Sequence, residues 1–234
     1  MGTTMRDHKL IKEGDHLLVG LSGGKDSMIL LEALVERSRA VPFDFNISAA
    51  HIEAIGIGYE INRKRLTSFC EQLGVPLHYR TIEPDFDRDP SKTACFICSW
   101  QRRKALFTLS GELNCNKLAL GHHRNDAVET LLMNMIYHGS ISSLPYSLSM
   151  FEGRIQLIRP IMDLDERMLE EYAGLNNLVK VEKSCPHEDR TQREKIAQLL
   201  KLVEELHGSG PFNIFKSMDK IFEEYLPIQA KVKP

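Results

Sequence analysis

Six consecutive residues, Ser22-Gly23-Gly24-Lys25-Asp26-Ser27, combine two glycines, two hydroxyls, a cation and a carboxylate. Gly23 and Gly24 let backbone N–H groups approach a bound anion, and a helix that starts here offers unpaired donors and the positive end of its dipole. Lys25 adds a mobile positive charge. The turn follows the apolar run Leu17-Leu18-Val19 and precedes residues 28–40, which carry helical periodicity. Strand, turn and helix together form a phosphate site. Its spacing is not the Gly-x-x-x-x-Gly-Lys-Ser/Thr of the commoner phosphate loop.

A second group of residues could hold a soft metal. Cys95-Phe96-Ile97-Cys98 stands where the polar stretch 85–94 enters a helix expected over 96–113, a placement that can point two thiolates at one ion. Cys185, in Lys183-Ser184-Cys185-Pro186, lies on a distant loop. Three soft ligands suit zinc or an iron–sulfur cluster, and buried free thiols are the plainer alternative. Cys70 reads as a core residue on a helix, Cys115 as a loop thiol or core filler, and His122 and His123 as hydrogen-bonding residues at a strand end rather than ligands.

The elements that must position these groups alternate. Apolar segments at 45–51, 77–82, 117–120 and 154–159 read as strands, and 60–73, 96–113 and 127–137 as helices, the first of these ended by Gly74 and Pro76. The βαβα order points to an α/β fold with a doubly wound, mostly parallel sheet, in which ligands sit beyond the carboxyl ends of the strands. The phosphate turn, His51 and Gly121-His122-His123-Arg124-Asn125-Asp126 all fall at such ends. Residues 139–153 read as a loop or hairpin, and Asp163 as the N-cap of a helix over 168–173. Amphipathic helices at 191–206 and 212–225 are expected to pack on the core.

The 234 residues carry a formal charge of −2, so no whole-molecule field attracts nucleic acid, and any RNA contact must come from local patches. Three are visible: Arg63-Lys64-Arg65, Arg102-Arg103-Lys104, and Arg190 with Arg193 and Lys195. No stretch approaches the ~20 apolar residues of a membrane span, residues 1–13 lack the layout of a signal peptide, and the odd count of five cysteines argues against a disulfide framework. The expectation is a cytoplasmic protein with no membrane contact.

The Ser22 to Ser27 turn resembles the pyrophosphate loop (PP-loop) of the ATP-pyrophosphatase superfamily, whose members split ATP between its α and β phosphates. That resemblance implies adenylation rather than phosphorylation and an adenine nucleotide alpha hydrolase-like fold. With Cys95-x-x-Cys98, Arg102-Arg103, Leu120-Gly121-His122-His123-Arg124-Asn125-Asp126, Asn134-Met135-Ile136-Tyr137 and Ile158-Arg159-Pro160 in this order, nearly the whole chain resembles the TtcA-like tRNA 2-thiocytidine synthetases. The resemblance implies that ATP activates the C2 oxygen of a pyrimidine, cytidine 32 of the anticodon loop, and that a sulfur species then displaces AMP.

Carried over by position, the resemblance gives Ser22, Gly23, Gly24, Asp26 and Ser27 the ATP phosphates, and sets Lys25 against charge on the departing pyrophosphate. His51 and Ile52 would border the adenosine, Gly121 would let the nucleotide approach, and Asp126 would organise Mg²⁺ or the reacting groups. Arg102 would stabilise the adenylated intermediate. Cys95, Cys98 and Cys185 would hold a 4Fe-4S cluster, with Zn²⁺ the alternative. Implied partners are tRNA, a cysteine-desulfurase-derived or inorganic sulfur donor, and a second copy of the chain. The implied organisation is one PP-loop domain over residues 1–234, with 186–234 a helical extension packed on it. Better-known members carry a second Cys-x-x-Cys where Cys185 stands alone. Competing readings are another PP-loop enzyme, of the 2-thiouridine or lysidine type, and a nucleotide- or zinc-binding module without catalysis.

Overall fold

The computed structural model describes residues 1–56, 61–178 and 192–227. Its strands are β1 (His16–Gly20), β2 (Asn46–Ala54), β3 (Leu77–Ile82), β4 (Lys117–Ala119), β5 (Ser147–Met150) and β6 (Ile155–Ile158), in the spatial order β3-β2-β1-β4-β6-β5. All pairs are parallel except the β5–β6 hairpin at one edge. The chain steps outward from β1 to β3, then crosses back to place β4 on the other side of β1. That reversal opens a crevice at the carboxyl ends of β1 and β4.

Helices cover both faces, as a parallel sheet requires. Leu17 and Val19 of β1 point to the side of α2 (Lys25–Ala40) and α3 (Arg63–Leu73), where Leu30, Leu31, Leu34, Leu66 and Cys70 are buried. Leu18 points the other way, to Leu106 and Leu109 of α4 (Ala94–Glu112). Each fully buried aliphatic side chain contributes about 1.5–3 kcal/mol, so the near-continuous apolar run of β1 anchors both layers. α5 (Arg124–His138) and α6 (Glu166–Leu175) follow β4 and β6.

Several expectations need correction. Residues 1–13, read only as a polar segment, contain α1 (Gly2–Asp7), and Met5 and Leu10 are buried in the core. The N-cap of α6 is Asp165, whose carboxylate accepts from Met168 N, because Asp163 instead accepts from Thr4 Oγ1 and Tyr146 Oη, both at 2.6 Å. The helix expected over 212–225 is divided into α8 (Gly210–Ser217), which buries no residue, and a 3₁₀ turn at Glu223–Tyr225. α7 (Gln192–Leu206) buries only Ile196 and Leu200. The C-terminal helices are thus peripheral. The Ser-rich 139–153 segment does form a hairpin strand, β5. Among the described residues no helix is long and apolar enough to cross a membrane.

Candidate functional site

The turn between β1 and α2 is built by its own small side chains. Gly23 has φ of 84°, a left-handed conformation that favours glycine. Ser22 Oγ accepts from Gly24 N at 3.2 Å, and Ser27 Oγ donates to Gly24 O at 2.9 Å while accepting from Ser22 N at 3.2 Å. The two hydroxyls brace the turn from inside, and the first N–H groups of α2 face the crevice end without intrahelical partners.

Lys25 lies along the crevice, with Nζ 2.8 Å from Asp26 Oδ1 and 2.9 Å from Glu166 Oε1 of α6. Burial alone would lower its pKa, but the hydrogen bonds to the two carboxylates outweigh burial and hold the ammonium above its ordinary range. Glu166 answers in the opposite sense: burial raises it, and Lys25 pulls it down further than burial pushes. The cation is therefore permanently charged.

Gly121 meets α2 directly. A Cβ there would lie 3.0 Å from both Asp26 C and Ser27 N, so the missing side chain is what lets the β4 exit touch the phosphate turn. Its close approach in this structure is to protein backbone. Beyond it, Asp126 Oδ2 accepts from His123 N at 3.0 Å, and Oδ1 accepts from Arg193 Nη2 of α7. His123 Nε2 lies 3.5 Å from Asp126 Oδ2 and 4.0 Å from Glu166 Oε2. Burial would raise the Asp126 carboxyl, but neighbouring His123, the Arg193 guanidinium and the bond from His123 N prevail and hold it below its usual range. Arg193 also reaches Glu129 Oε2 at 2.9 Å.

On the β2 side, His51 is buried and its Nδ1 lies 2.6 Å from the Leu21 carbonyl, which fixes Nδ1 as the protonated nitrogen. Burial, opposed by that bond and aided by the charges of Arg102 and Arg63, lowers its pKa, so the ring is neutral. Ile52 points to the opposite face and is packed with Leu106 and Leu109, which leaves only its main chain to offer a ligand. His122 is also neutral, pushed down to about 4 by burial, and its Nδ1 accepts from Arg159 Nε at 3.3 Å. Arg159 is only 5% exposed, donates its second described bond to Pro145 O at 2.6 Å, and has no carboxylate partner among the described residues. Burial and repulsion from Arg103 bring it down to about 10.

Cys95 and Cys98 are half-buried in the first turns of α4, whose N-cap Thr93 Oγ1 accepts from Phe96 N at 3.2 Å. Three residues apart on a helix, they share one face, a donor pair that fits a soft metal. Cys185 lies outside the described residues, and no group of three metal-holding side chains occurs among those described. Arg102 follows one turn after Cys98 on α4. Cys70 and Cys115 are buried, as a core reading of each requires.

Three residues of this site were not legible as such. Glu166 had read only as part of a helix start, Arg193 only as part of a basic patch, and Arg159 carried no role within its motif. Their partners lie 141, 67 and 37 residues away, so no spacing rule connects them.

Residues 3–203 match the family model described as a PP-loop domain. The chain is 38% identical to the tRNA-cytidine(32) 2-sulfurtransferase of Pelobacter propionicus, covering 97% of this chain and 86% of that protein. It is 32% identical to the protein of the same name from Polynucleobacter asymbioticus, over 97% and 76% of the two chains. Among solved structures, the U34-tRNA thiolase NcsA from Methanococcus maripaludis with its [4Fe-4S] cluster superposes with a TM-score of 0.76 at 23% identity, covering 97% of this chain and 79% of that one. At that identity the likeness shows a shared fold.

Proposed function

The chain belongs to the PP-loop family and, within it, to the tRNA-cytidine(32) 2-sulfurtransferases, and from that membership we propose that it is an ATP-dependent tRNA-thiolating enzyme that replaces the C2 oxygen of cytidine 32 with sulfur. The observation that carries the reading furthest is the phosphate turn itself, with Gly23 at a φ of 84° and the Ser22 and Ser27 hydroxyls bracing it at the start of α2. Leu106 and Leu109 of α4, the helix that bears Cys95 and Cys98, share a core cluster with Leu18 of the strand that leads into that turn.

A pyrimidine oxygen is a poor leaving group and an adenylate a good one, so activation must come first. Ser22, Gly23, Gly24, Asp26 and Ser27 hold the ATP phosphates through backbone donors and hydroxyls. The cytidine C2 oxygen attacks the α-phosphorus, the bond to the β-phosphate oxygen breaks, and Lys25 offsets the charge that develops on pyrophosphate. His51 and the Ile52 main chain border the adenosine, and the ionised Asp126 suits a Mg²⁺ companion of the nucleotide. Arg102 stabilises the adenylated base. Sulfide adds at C2 and AMP departs with the original oxygen. Cys95, Cys98 and Cys185 would hold a 4Fe-4S cluster, which supplies an iron without a protein ligand where sulfide can bind. We read the chain as one PP-loop domain with residues 186–234 as a helical extension, acting in the cytoplasm as a homodimer on tRNA with desulfurase-derived or inorganic sulfur.

The test is anaerobic. Reconstituted protein is expected to release AMP only with tRNA and to yield 2-thiocytidine on nucleoside mass spectrometry, with a broad absorption near ~400 nm that a Cys95→Ala, Cys98→Ala, Cys185→Ala triple variant lacks. Full turnover by the triple variant would favour a ligase-type or other adenylating reaction instead.

A further inference from the structure

Helix α4 presents two large aromatic rings to solvent beside the cysteine pair. Phe96 is 47% exposed and Trp100 42%, and four residues apart they share one helix face. Each ring carries a cation: Lys92 Nζ lies 5.4 Å from the Phe96 centroid and Lys104 Nζ 5.5 Å from that of Trp100. Residues 90–111 contain Lys92, Arg102, Arg103 and Lys104 and no aspartate or glutamate, within a chain whose net charge is −2. Arg103 and Lys104 are exposed. The other basic patches are differently engaged: Arg63 pairs with Glu53, Arg193 pairs with Asp126 and Glu129, and Arg190 lies outside the described residues.

We propose that Phe96 and Trp100 are a stacking platform for an unpaired base of the tRNA loop that carries the target cytidine, with Lys92, Arg103 and Lys104 on its phosphates. This rests on the tRNA-thiolation reading above and names the surface by which that substrate is held. Duplex RNA is gripped by cations and hydroxyl contacts and has no use for exposed rings, whereas single strands are held by stacking on aromatic faces within a positive groove. An apolar protein partner would not call for a cation over each ring. Phe96 stands between Cys95 and Cys98, so a base stacked there lies beside the thiols.

The experiment uses cluster-loaded protein and two end-labelled RNAs, an anticodon stem–loop and a blunt duplex of equal phosphate count, followed by fluorescence anisotropy. Phe96→Leu and Trp100→Leu are each expected to weaken stem–loop binding about tenfold, within the ~1–3 kcal/mol that stacking contributes per base, and to leave duplex binding within about twofold. Trp100→Phe, which keeps an aromatic face, is expected to retain most of the affinity and shows that the fold tolerates change there. Unchanged stem–loop affinity in the Leu variants overturns the platform, as does an equal loss on both RNAs. So would a wild-type dimer that Trp100→Leu dissociates, since the face would then join two copies. A wild type that releases no AMP with tRNA would sink the thiolation reading, whereas tRNA-dependent AMP release with an unchanged tRNA KM in the Leu variants sinks the platform alone.

Discussion

The Lys25 ammonium lies 2.9 Å from Glu166 Oε1, although 141 residues separate them in the chain. The cation that faces the phosphate turn is thus already engaged by a carboxylate of α6, and a polyphosphate drawn to Lys25 must compete with it. Glu166→Gln removes the competing charge and keeps a hydrogen-bonding group. Because Glu166 is partly exposed, the pair contributes no more than about 1 kcal/mol, and the variant is expected to tighten ATP binding by up to about fivefold. Titration calorimetry measures this. Weaker binding would instead make Glu166 the group that holds Lys25 in position for the nucleotide.

Gly121 is a steric requirement rather than a flexible one. Gly121→Ala puts a Cβ 3.0 Å from the Asp26 and Ser27 backbone, and that backbone is the first turn of α2. Overpacking of this kind costs about 1–3 kcal/mol. The displaced turn should also lose roughly tenfold or more in ATP affinity, because anion binding here depends on where backbone N–H groups point. Normal ATP affinity with only a lowered Tm would confine the role of Gly121 to packing.

Much of this site could be read from local pattern because its makers are local. Ser22 to Ser27 build their turn with bonds spanning no more than five residues, and the unbroken apolar run of β1 follows from its burial on both faces. What escaped the sequence acts across the fold. Glu166 meets Lys25 only because β6 lies beside β4, and the N-cap role moved from Asp163 to Asp165 because Tyr146 and Thr4 claim Asp163. α1 escaped because its apolar anchors, Met1 and Met5 with Leu10 and Ile11 just beyond it, are scattered through a polar stretch.

The cysteines divide by environment. Burial pushes the Cys70 and Cys115 thiols up to about 11, whereas Cys95 and Cys98 are partly exposed at a helix start. In cluster-free protein at pH 8, iodoacetamide is expected to modify Cys95 and Cys98 at least about tenfold faster, since the thiolate is the reactive form. Peptide mass spectrometry assigns the sites. Equal rates at all four would remove the distinction between ligand-type and core thiols.

Acid should destabilise the protein through His122. The folded state protonates this ring only near about 4, whereas the unfolded chain does so near 6.5. Between those values the unfolded state binds more protons, so the stability contributed is present above pH 6.5 and is lost as pH falls toward 4. Asp126, held below its ordinary 3.8, extends the same trend to lower pH. A loss on the order of 1–2 kcal/mol, several degrees in Tm, is expected from pH 7 to 5. His122→Gln keeps an acceptor for Arg159 and should flatten that slope. An unchanged slope would mean that other groups carry it.

At the amino ends of the strands, far from the crevice, Asp15 and Lys117 are both almost fully buried, with Lys117 Nζ 3.3 Å from Asp15 Oδ2. Lys117 also donates to Leu10 O at 2.7 Å and Gln156 Oε1 at 2.6 Å, while Asp15 accepts from Lys12 N at 2.7 Å and Asn116 Nδ2 at 2.8 Å. Burial lowers the Lys117 pKa, and the Asp15 charge opposes that fall. Such a pair contributes little over an apolar substitute for both partners, because desolvation offsets attraction, but removing one partner strands a buried charge. Lys117→Met is therefore expected to cost about 3–5 kcal/mol, and Lys117→Met with Asp15→Leu to recover much of it. Chemical denaturation of the two variants measures both numbers, and a double variant no more stable than the single would show that the surrounding hydrogen bonds, rather than the ion pair, close the bottom of the sheet.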